Sequence, residues 1–321
     1  MGLLILCGGL LGALALSGCD SRVSADPLSP ASQAMPVAAV APQNPGEPAP
    51  EAETEPVRRA PTDEELAARA AELRRHVPRG FHVVIERPFV VIGNQSRAVV
   101  ERHAHGTIRS AVQRLKKDYF TQDPEEIIDV WLFGDGPSYR RYARELFGHT
   151  PDTPYGYYTE VYNALVMNVG TGAGTLIHEI VHPFMRANFE GVPPWFNEGL
   201  ASLYECSTTR NGSIWGLTNW RLRGLRREIA RGGLPSFETL MAKDEDAFYG
   251  DTAGDNYAES RYLLQYLQEK GLLKAYYHAF HAASEKDPTG YETLKAILGE
   301  KDMAGFQKRW ERWVMGLEFE R

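Results

Sequence analysis

Residues 175–185 read TLIHEIVHPFM, and this stretch decides most of what the sequence predicts about the fold. His178 and His182 are four residues apart, so a helix presents both imidazoles on one face. Apolar residues surround them, and buried His or Glu side chains are costly unless they are paired or bound to a metal ion. A strand-like run at 164–169 and the glycine-rich segment 170–174 come directly before. The sequence therefore predicts a metal site on a buried central helix that follows a strand.

Outward from this helix, strands are concentrated before residue 170 and helices after it. The apolar patterns predict helices at 62–76, 97–120 and 137–147, and strands at 81–86, 89–93, 127–133, 155–159 and 164–169. The predicted fold class is α+β, with mixed strands and helices over residues 62–170 and a mainly helical part over residues 171–321.

The N-terminus predicts export and a tether. Residues 2–18 are uncharged and mostly apolar, and they end in Leu-Ser-Gly before Cys19. This resembles the bacterial lipobox, which implies a signal peptide at 1–18 and lipidation of Cys19. Residues 19–61 are rich in Pro and Ala and predict a disordered tether. No Lys or Arg precedes the apolar run, so an uncleaved anchor or an ordinary secretory signal stays open. Each of these three alternatives places the region from residue 62 onwards outside the cytoplasm.

The composition excludes several classes of protein. The chain has 321 residues, with 35 Lys and Arg against 42 Asp and Glu and a net charge of −7, which argues against a charge-driven nucleic-acid binder. The body has no apolar run long enough for a membrane bundle. Three cysteines do not make a disulfide scaffold.

A second motif follows the histidine helix. Residues 193–201 read PPWFNEGLA and place Glu198 downstream of His-Glu-x-x-His. The two motifs together resemble the gluzincin branch of zinc peptidases, which includes thermolysin-like and aminopeptidase-N-like enzymes. The resemblance implies a zincin-like fold and one zinc ion per chain, bound by His178, His182 and Glu198, with Glu179 as general base. We also expect Gly199 to let the Glu198 helix approach the histidine helix closely.

The family's reaction is the attack of a zinc-polarised water on a peptide carbonyl. Glu179 would accept the proton and deliver it to the leaving amine. The oxyanion needs a further donor, and the chain has no His between His182 and His278. The donor is a downstream His in thermolysin-like enzymes, and the resemblance to aminopeptidase-N-like members implies a Tyr in its place. We expect Tyr257, which begins a Tyr-Ala-x-Ser stretch similar to one that family members carry; Tyr262 and Tyr266 are alternatives that could equally be core residues.

Some features depart from the family. Thermolysin-like enzymes carry an acid four residues after the third ligand, where this chain has Ser202; the next acid is Glu205. Pro183 is expected to end or kink the helix after His182. The amine-binding motif of aminopeptidase N is missing, which favours an endopeptidase. An extended peptide would then add to a strand, for which we expect residues 164–169.

Two further clusters predict solvated surfaces rather than sites. His103 and His105 are two residues apart and point to different faces of a helix. The arginines of one later helix are expected to form a charged face, which could also recognise an anion: Arg221, Arg223, Arg226 and Arg227.

Together these features predict a zinc metallopeptidase that acts on peptides or proteins in the bacterial cell envelope. It would be held at the membrane through a lipid on Cys19 and would not bind nucleic acid. The alternative is a catalytically silent, gluzincin-like binding or scaffold lipoprotein. The presence of Glu179, which only catalysis needs, favours the enzyme. Hydrolysis of a non-peptide amide, such as a peptidoglycan crosslink, would use the same residues and stays open.

Overall fold

The computed structural model describes residues 59–319. The predicted signal peptide, Cys19 and the predicted tether up to residue 58 lie outside the described residues. Helix α1 (Asp63–His76) begins after Thr62, whose hydroxyl accepts a hydrogen bond from the Glu65 N–H at 3.2 Å. The Glu65 carboxylate accepts in return from the Thr62 N–H at 2.7 Å. This reciprocal cap satisfies N–H groups that the helix leaves unpaired, and it confirms the predicted helix start.

Five strands form one mixed sheet. They are β1 (His82–Glu86), β2 (Phe89–Gly93), β3 (Ile128–Phe133), β4 (Gly156–Thr159) and β5 (Ala164–Asn168), in the spatial order β1-β2-β3-β5-β4. Strands β2, β3 and β5 are parallel, whereas β1 and β4 are antiparallel to their neighbours. Strand β5 thus has partners on both sides, so the expectation that 164–169 offers a free edge is wrong. The tight turn at Asn163, with φ of 44°, folds β4 back onto β5, and β4 becomes one of the two edge strands, with β1 at the other edge.

Helices cover both faces of the sheet. Helices α1 and α4 (Gly136–Phe147) pack on one face. The other face carries a continuous helical stretch of α2 (Arg97–Glu101), a π-helical segment (Arg102–Ile108) and α3 (Arg109–Asp118). Val90 and Val91 belong to different core clusters, because successive side chains of a strand point to opposite faces. The sheet is therefore the middle layer between two apolar cores.

The remainder of the chain is mainly helical and confirms the α+β class. Its helices are α5 (Gly174–Asn188), α6 (Pro194–Tyr204), α7 (Arg221–Arg231), α8 (Phe237–Met241), α9 (Glu245–Tyr249), α10 (Ala253–Glu269), α11 (Leu273–Ala283), α12 (Tyr291–Leu298) and α13 (Met303–Gly316). A hairpin of β6 (Ser207–Arg210) and β7 (Ser213–Gly216), which we did not predict, interrupts them. Asn211 and Gly212 both have positive φ at its turn, as a two-residue hairpin loop requires. Within residues 59–319, none of the helices is both long and apolar enough to cross a membrane.

Helix α5 continues through Pro183 to Asn188, so of the two expected outcomes, an end or a kink, the end is wrong. A proline inside a helix lacks one N–H and costs about 3 kcal/mol. Val181, Phe184 and Met185 flank it and are fully buried. Burial of one such side chain contributes about 1.5–3 kcal/mol, so the packing of this turn outweighs the cost of the proline.

The His103/His105 pair and the arginines of α7 were both predicted to be solvated, but neither set is fully solvated. His105 Nδ1 lies 2.5 Å from Glu86 Oε2, because the Glu86 carboxylate is buried and requires polar partners. In α7, Arg221 pairs with the buried Glu205, and Arg226 donates to carbonyl groups near the end of α13. The arginines of α7 therefore do not form a wholly exposed face.

Candidate metal centre

Three potential metal ligands converge between α5 and α6. His178 and His182 lie one turn apart on α5, and Glu198 lies on α6. Glu198 Oε2 is 3.2 Å from His178 Nε2 and 3.7 Å from His182 Nε2. One ligand atom from each residue lies within 4.8 Å of the other two. The fold thus brings together the three residues that the sequence predicted as ligands.

The outer nitrogen of each imidazole has a polar neighbour that orients the ring. His182 Nδ1 lies 3.0 Å from Asn197 Oδ1. An amide oxygen only accepts hydrogen bonds, which assigns the proton to Nδ1 and leaves the Nε2 lone pair for the cluster. His178 Nδ1 lies 3.5 Å from Glu205 Oε2, too far for a well-formed hydrogen bond, so this contact is mainly electrostatic. Both contacts direct Nε2 towards Glu198, as in metal sites whose histidines have outer partners.

Glu205 anchors a buried polar network behind His178. Its Oε1 accepts hydrogen bonds from Arg221 Nε and Asn219 Nδ2, each at 2.8 Å. Glu205 follows Glu198 by seven residues, about two helical turns, which places both on the same side of α6. The support that the family pattern would place at Ser202 therefore comes from Glu205. The seven-residue spacing is visible in the sequence and could have pointed to Glu205, for which we predicted no role.

Two tyrosines border the cluster. The Tyr249 hydroxyl donates a hydrogen bond to Glu198 Oε1 at 2.7 Å. The ring of Tyr257 is stacked over that of His178, with centroids 6.4 Å apart and 23° between the planes. The Arg221 guanidinium carbon lies 5.0 Å from the Tyr257 ring centroid. Tyr257, which the sequence proposed as oxyanion donor, thus borders the cluster, whereas no motif or spacing pointed to Tyr249.

The other two tyrosine alternatives have structural surroundings. The Tyr262 hydroxyl hydrogen-bonds with the backbone of Asn219. The ring of Tyr266 packs edge-on against Phe306 and Trp313. Neither ring is among those that pack against His178 or His182, so Tyr257 remains the candidate oxyanion donor.

The electrostatics of the cluster favour a positive charge. Burial opposes ionisation of Glu198, but the two imidazoles and the Tyr249 hydroxyl outweigh burial and hold its pKa well below the usual range. For His178, burial disfavours the charged form, yet Glu198 and Glu205 raise its pKa above that of an ordinary His. Carboxylates thus stabilise positive charge on both sides of the ring, as they would stabilise a bound cation.

Glu179 lies partly buried on α5, directly after His178. Burial is the main cause of the raised pKa values of Tyr249 and Tyr257, followed by the charge of Glu198; Glu179 also raises both. Its carboxylate is therefore within electrostatic range of the two phenols that border the cluster.

Two glycines allow the helices to approach. A Cβ on Gly174, at the start of α5, would lie 2.2 Å from the carbonyl oxygen of Glu205. A Cβ on Gly199 would lie 3.1 Å from both Ser260 and Leu264 of α10. The expectation that Gly199 faces α5 is therefore wrong, because α6 turns this residue towards α10. Gly174 instead permits the close approach of α5 and α6.

The residues of this cluster could hold a metal ion. Two imidazole nitrogens and one carboxylate oxygen form the three-ligand set of many catalytic zinc sites, which keep a fourth position open. Glu198 Oε2 is buried and has no hydrogen-bond partner, an unfavourable state for a carboxylate oxygen unless a cation or proton satisfies it. Comparison with protein-family models and with curated proteins finds no match for this chain.

Proposed function

We propose that this protein is a gluzincin-like zinc peptidase that hydrolyses peptide bonds, with a zincin-like fold. The observation that carries the proposal is the convergence of His178, His182 and Glu198 beside Glu179. The three candidate ligands share one cluster, and Glu179 directly follows His178 on α5. One metal ion per chain would bind at Glu198 Oε2 and the two Nε2 atoms.

A bound zinc ion would supply the Lewis acidity that lowers the pKa of a water molecule towards neutrality. Glu179 accepts the proton of the attacking water and returns it to the leaving amine. We assign the hydrogen bond to the oxyanion to Tyr257, since its ring stacks on that of His178 at the border of the cluster. Arg221 lies over its ring and fixes its position.

The edge strand β4 supports a peptide as the substrate. Only β5 pairs with β4 in the described part of the chain, which leaves one row of its N–H and C=O groups unpaired. Arg186 of α5 lies over the ring of Tyr158 in β4, with 5.6 Å between its guanidinium carbon and the ring centroid, so this strand lies beside the histidine helix. An extended peptide that adds to β4 would gain main-chain hydrogen bonds along an internal segment, which is the part of a substrate that an endopeptidase binds.

We propose that the enzyme is a membrane-anchored lipoprotein of the cell envelope. The lipobox-like sequence before Cys19 supports the anchor. The tether rich in Pro and Ala before residue 62 supports a catalytic body held away from the membrane. Radiolabelled palmitate incorporation that disappears in Cys19→Ser would support the anchor, and unchanged labelling would contradict it.

The Glu179→Gln variant tests the catalytic proposal. Glu179 is not a ligand, so we expect stoichiometric zinc in both proteins. General acid–base groups contribute about 10²–10⁴-fold, so turnover of a peptide library should fall by that factor. Glu285→Gln, at an exposed position after α11, is the control. Zinc with unchanged turnover in Glu179→Gln would refute the enzyme, zinc without any turnover would favour the silent scaffold, and no zinc would refute both.

A further inference from the structure

The two carboxylate oxygens of Glu198 have different environments. Oε2 faces both imidazoles, at 3.2 Å and 3.7 Å, and has no hydrogen-bond partner. Oε1 accepts the hydrogen bond from the Tyr249 hydroxyl at 2.7 Å. Glu198 is 6% exposed, so little water can compete for either oxygen.

Tyr249 is held firmly in this position. It is the last residue of α9, whose start is capped by Asp244 through a 2.9 Å hydrogen bond from the Ala247 N–H. The Asn256 side chain of α10 donates to the Phe248 carbonyl at 2.7 Å. Phe248 is fully buried, and its ring packs against that of Tyr249. The hydroxyl is therefore directed at Glu198 by packing on two helices.

We propose that Tyr249 is a positioning residue that restricts Glu198 to one coordinating oxygen and so keeps a coordination position open for water and substrate. The inference rests on the proposed metal function. A carboxylate can bind a metal ion through one oxygen or both, and a catalytic zinc site needs its open position. Coordination through both oxygens would weaken the hydrogen bond from Tyr249, because Oε1 would then share its electron density between the hydroxyl and the ion.

The phenol is the donor of this hydrogen bond, because an ionised carboxylate oxygen only accepts. Tyr257 does not replace it, because its ring stacks on His178 and its hydroxyl makes no hydrogen bond to Glu198. The two tyrosines thus have separate roles, Tyr249 on the ligand and Tyr257 towards the substrate.

The Tyr249→Phe variant removes only the hydroxyl, and Tyr266→Phe, a partly buried tyrosine that packs against Phe306 and Trp313, is the matched control. Cobalt(II) is the first probe, because its visible absorption is stronger with four ligands than with five or six. We expect Tyr249→Phe to weaken this absorption and to bind zinc about 10–100-fold less tightly in competition with a chelator. Tyr266→Phe should match the wild type in both measurements.

Each result separates this inference from the proposed function. An unchanged cobalt spectrum and unchanged zinc affinity in a folded Tyr249→Phe protein would overturn the positioning role while leaving the metal site intact. A changed cobalt spectrum together with full turnover in Glu179→Gln would support Tyr249 and refute the peptidase. A wild-type protein that binds neither metal would overturn both. Far-ultraviolet circular dichroism of each variant verifies folding.

Discussion

Replacing Glu205 by Gln removes a negative charge from behind His178 and keeps an oxygen that can accept from Arg221 and Asn219. Loss of such an outer partner weakens metal binding about 10–100-fold, which corresponds to about 1.4–2.7 kcal/mol. Breaking a buried ion pair costs about 3–5 kcal/mol. Because the Arg221 side chain is 21% exposed and Gln retains hydrogen bonds, we expect a loss of about 2–3 kcal/mol in unfolding free energy.

Chelator competition at pH 7 measures the zinc affinity, and urea titration of the metal-free protein measures the stability. The control is Glu145→Gln, which alters an exposed pair with Arg141 and should change stability by under about 0.5 kcal/mol. The pKa of Glu205 is lowered from 4.5 to about 2, because Arg221 and His178 outweigh its burial. The contribution of Glu205 to the free energy of unfolding is therefore present above pH 4.5 and is lost as the pH falls towards 2. Equal zinc affinity in Glu205→Gln and wild type would refute this role.

Two further variants test how the helices are held. Gly174→Ala should lower the free energy of unfolding by about 1–3 kcal/mol and weaken zinc binding, because its Cβ would meet the Glu205 carbonyl. Gly254→Ala, whose Cβ would have nothing within 4 Å, should raise the free energy of unfolding in urea by up to about 1 kcal/mol. A Gly174→Ala protein as stable as Gly254→Ala would contradict the close approach. Glu259 is 1% exposed, its oxygens are unpaired and burial raises its pKa from 4.5 to about 8. Wild-type stability should therefore fall by about 1.4 kcal/mol per unit between pH 4.5 and 8, and parallel pH profiles in Glu259→Gln would disprove this.

Local sequence signals predicted the five strands of the sheet, the helices before residue 150 and three of the contacts that matter, but not the β6–β7 hairpin. The capping pair Thr62 and Glu65 marked the start of α1, and the four-residue spacing of His178 and His182 placed both on one face of α5. Glu198 was found because a strongly patterned motif surrounds it. These signals act within a few turns of chain, where periodicity and capping determine the conformation.

Contacts between distant elements could not be predicted in the same way. Gly199 faces α10 rather than α5, and β5 is covered by β4 rather than exposed. Tyr249 reaches Glu198 across 51 residues of sequence, and nothing in a single sequence marks such a pair. Pro183 shows the same limit, since its local cost is outweighed by tertiary packing that only the folded chain reveals.

The side chains that form and border the metal cluster belong to the helical region from α5 to α10. The sheet places one of its edge strands, β4, beside α5. In the proposed peptidase, catalysis and peptide binding would thus depend on different parts of the chain. Residue changes in β4 would alter which peptides are held without disturbing the ligands. Peptide selectivity would therefore change independently of metal affinity. Replacing β4 with the strand of another protein would be a practical way to change the peptide selectivity of the proposed peptidase.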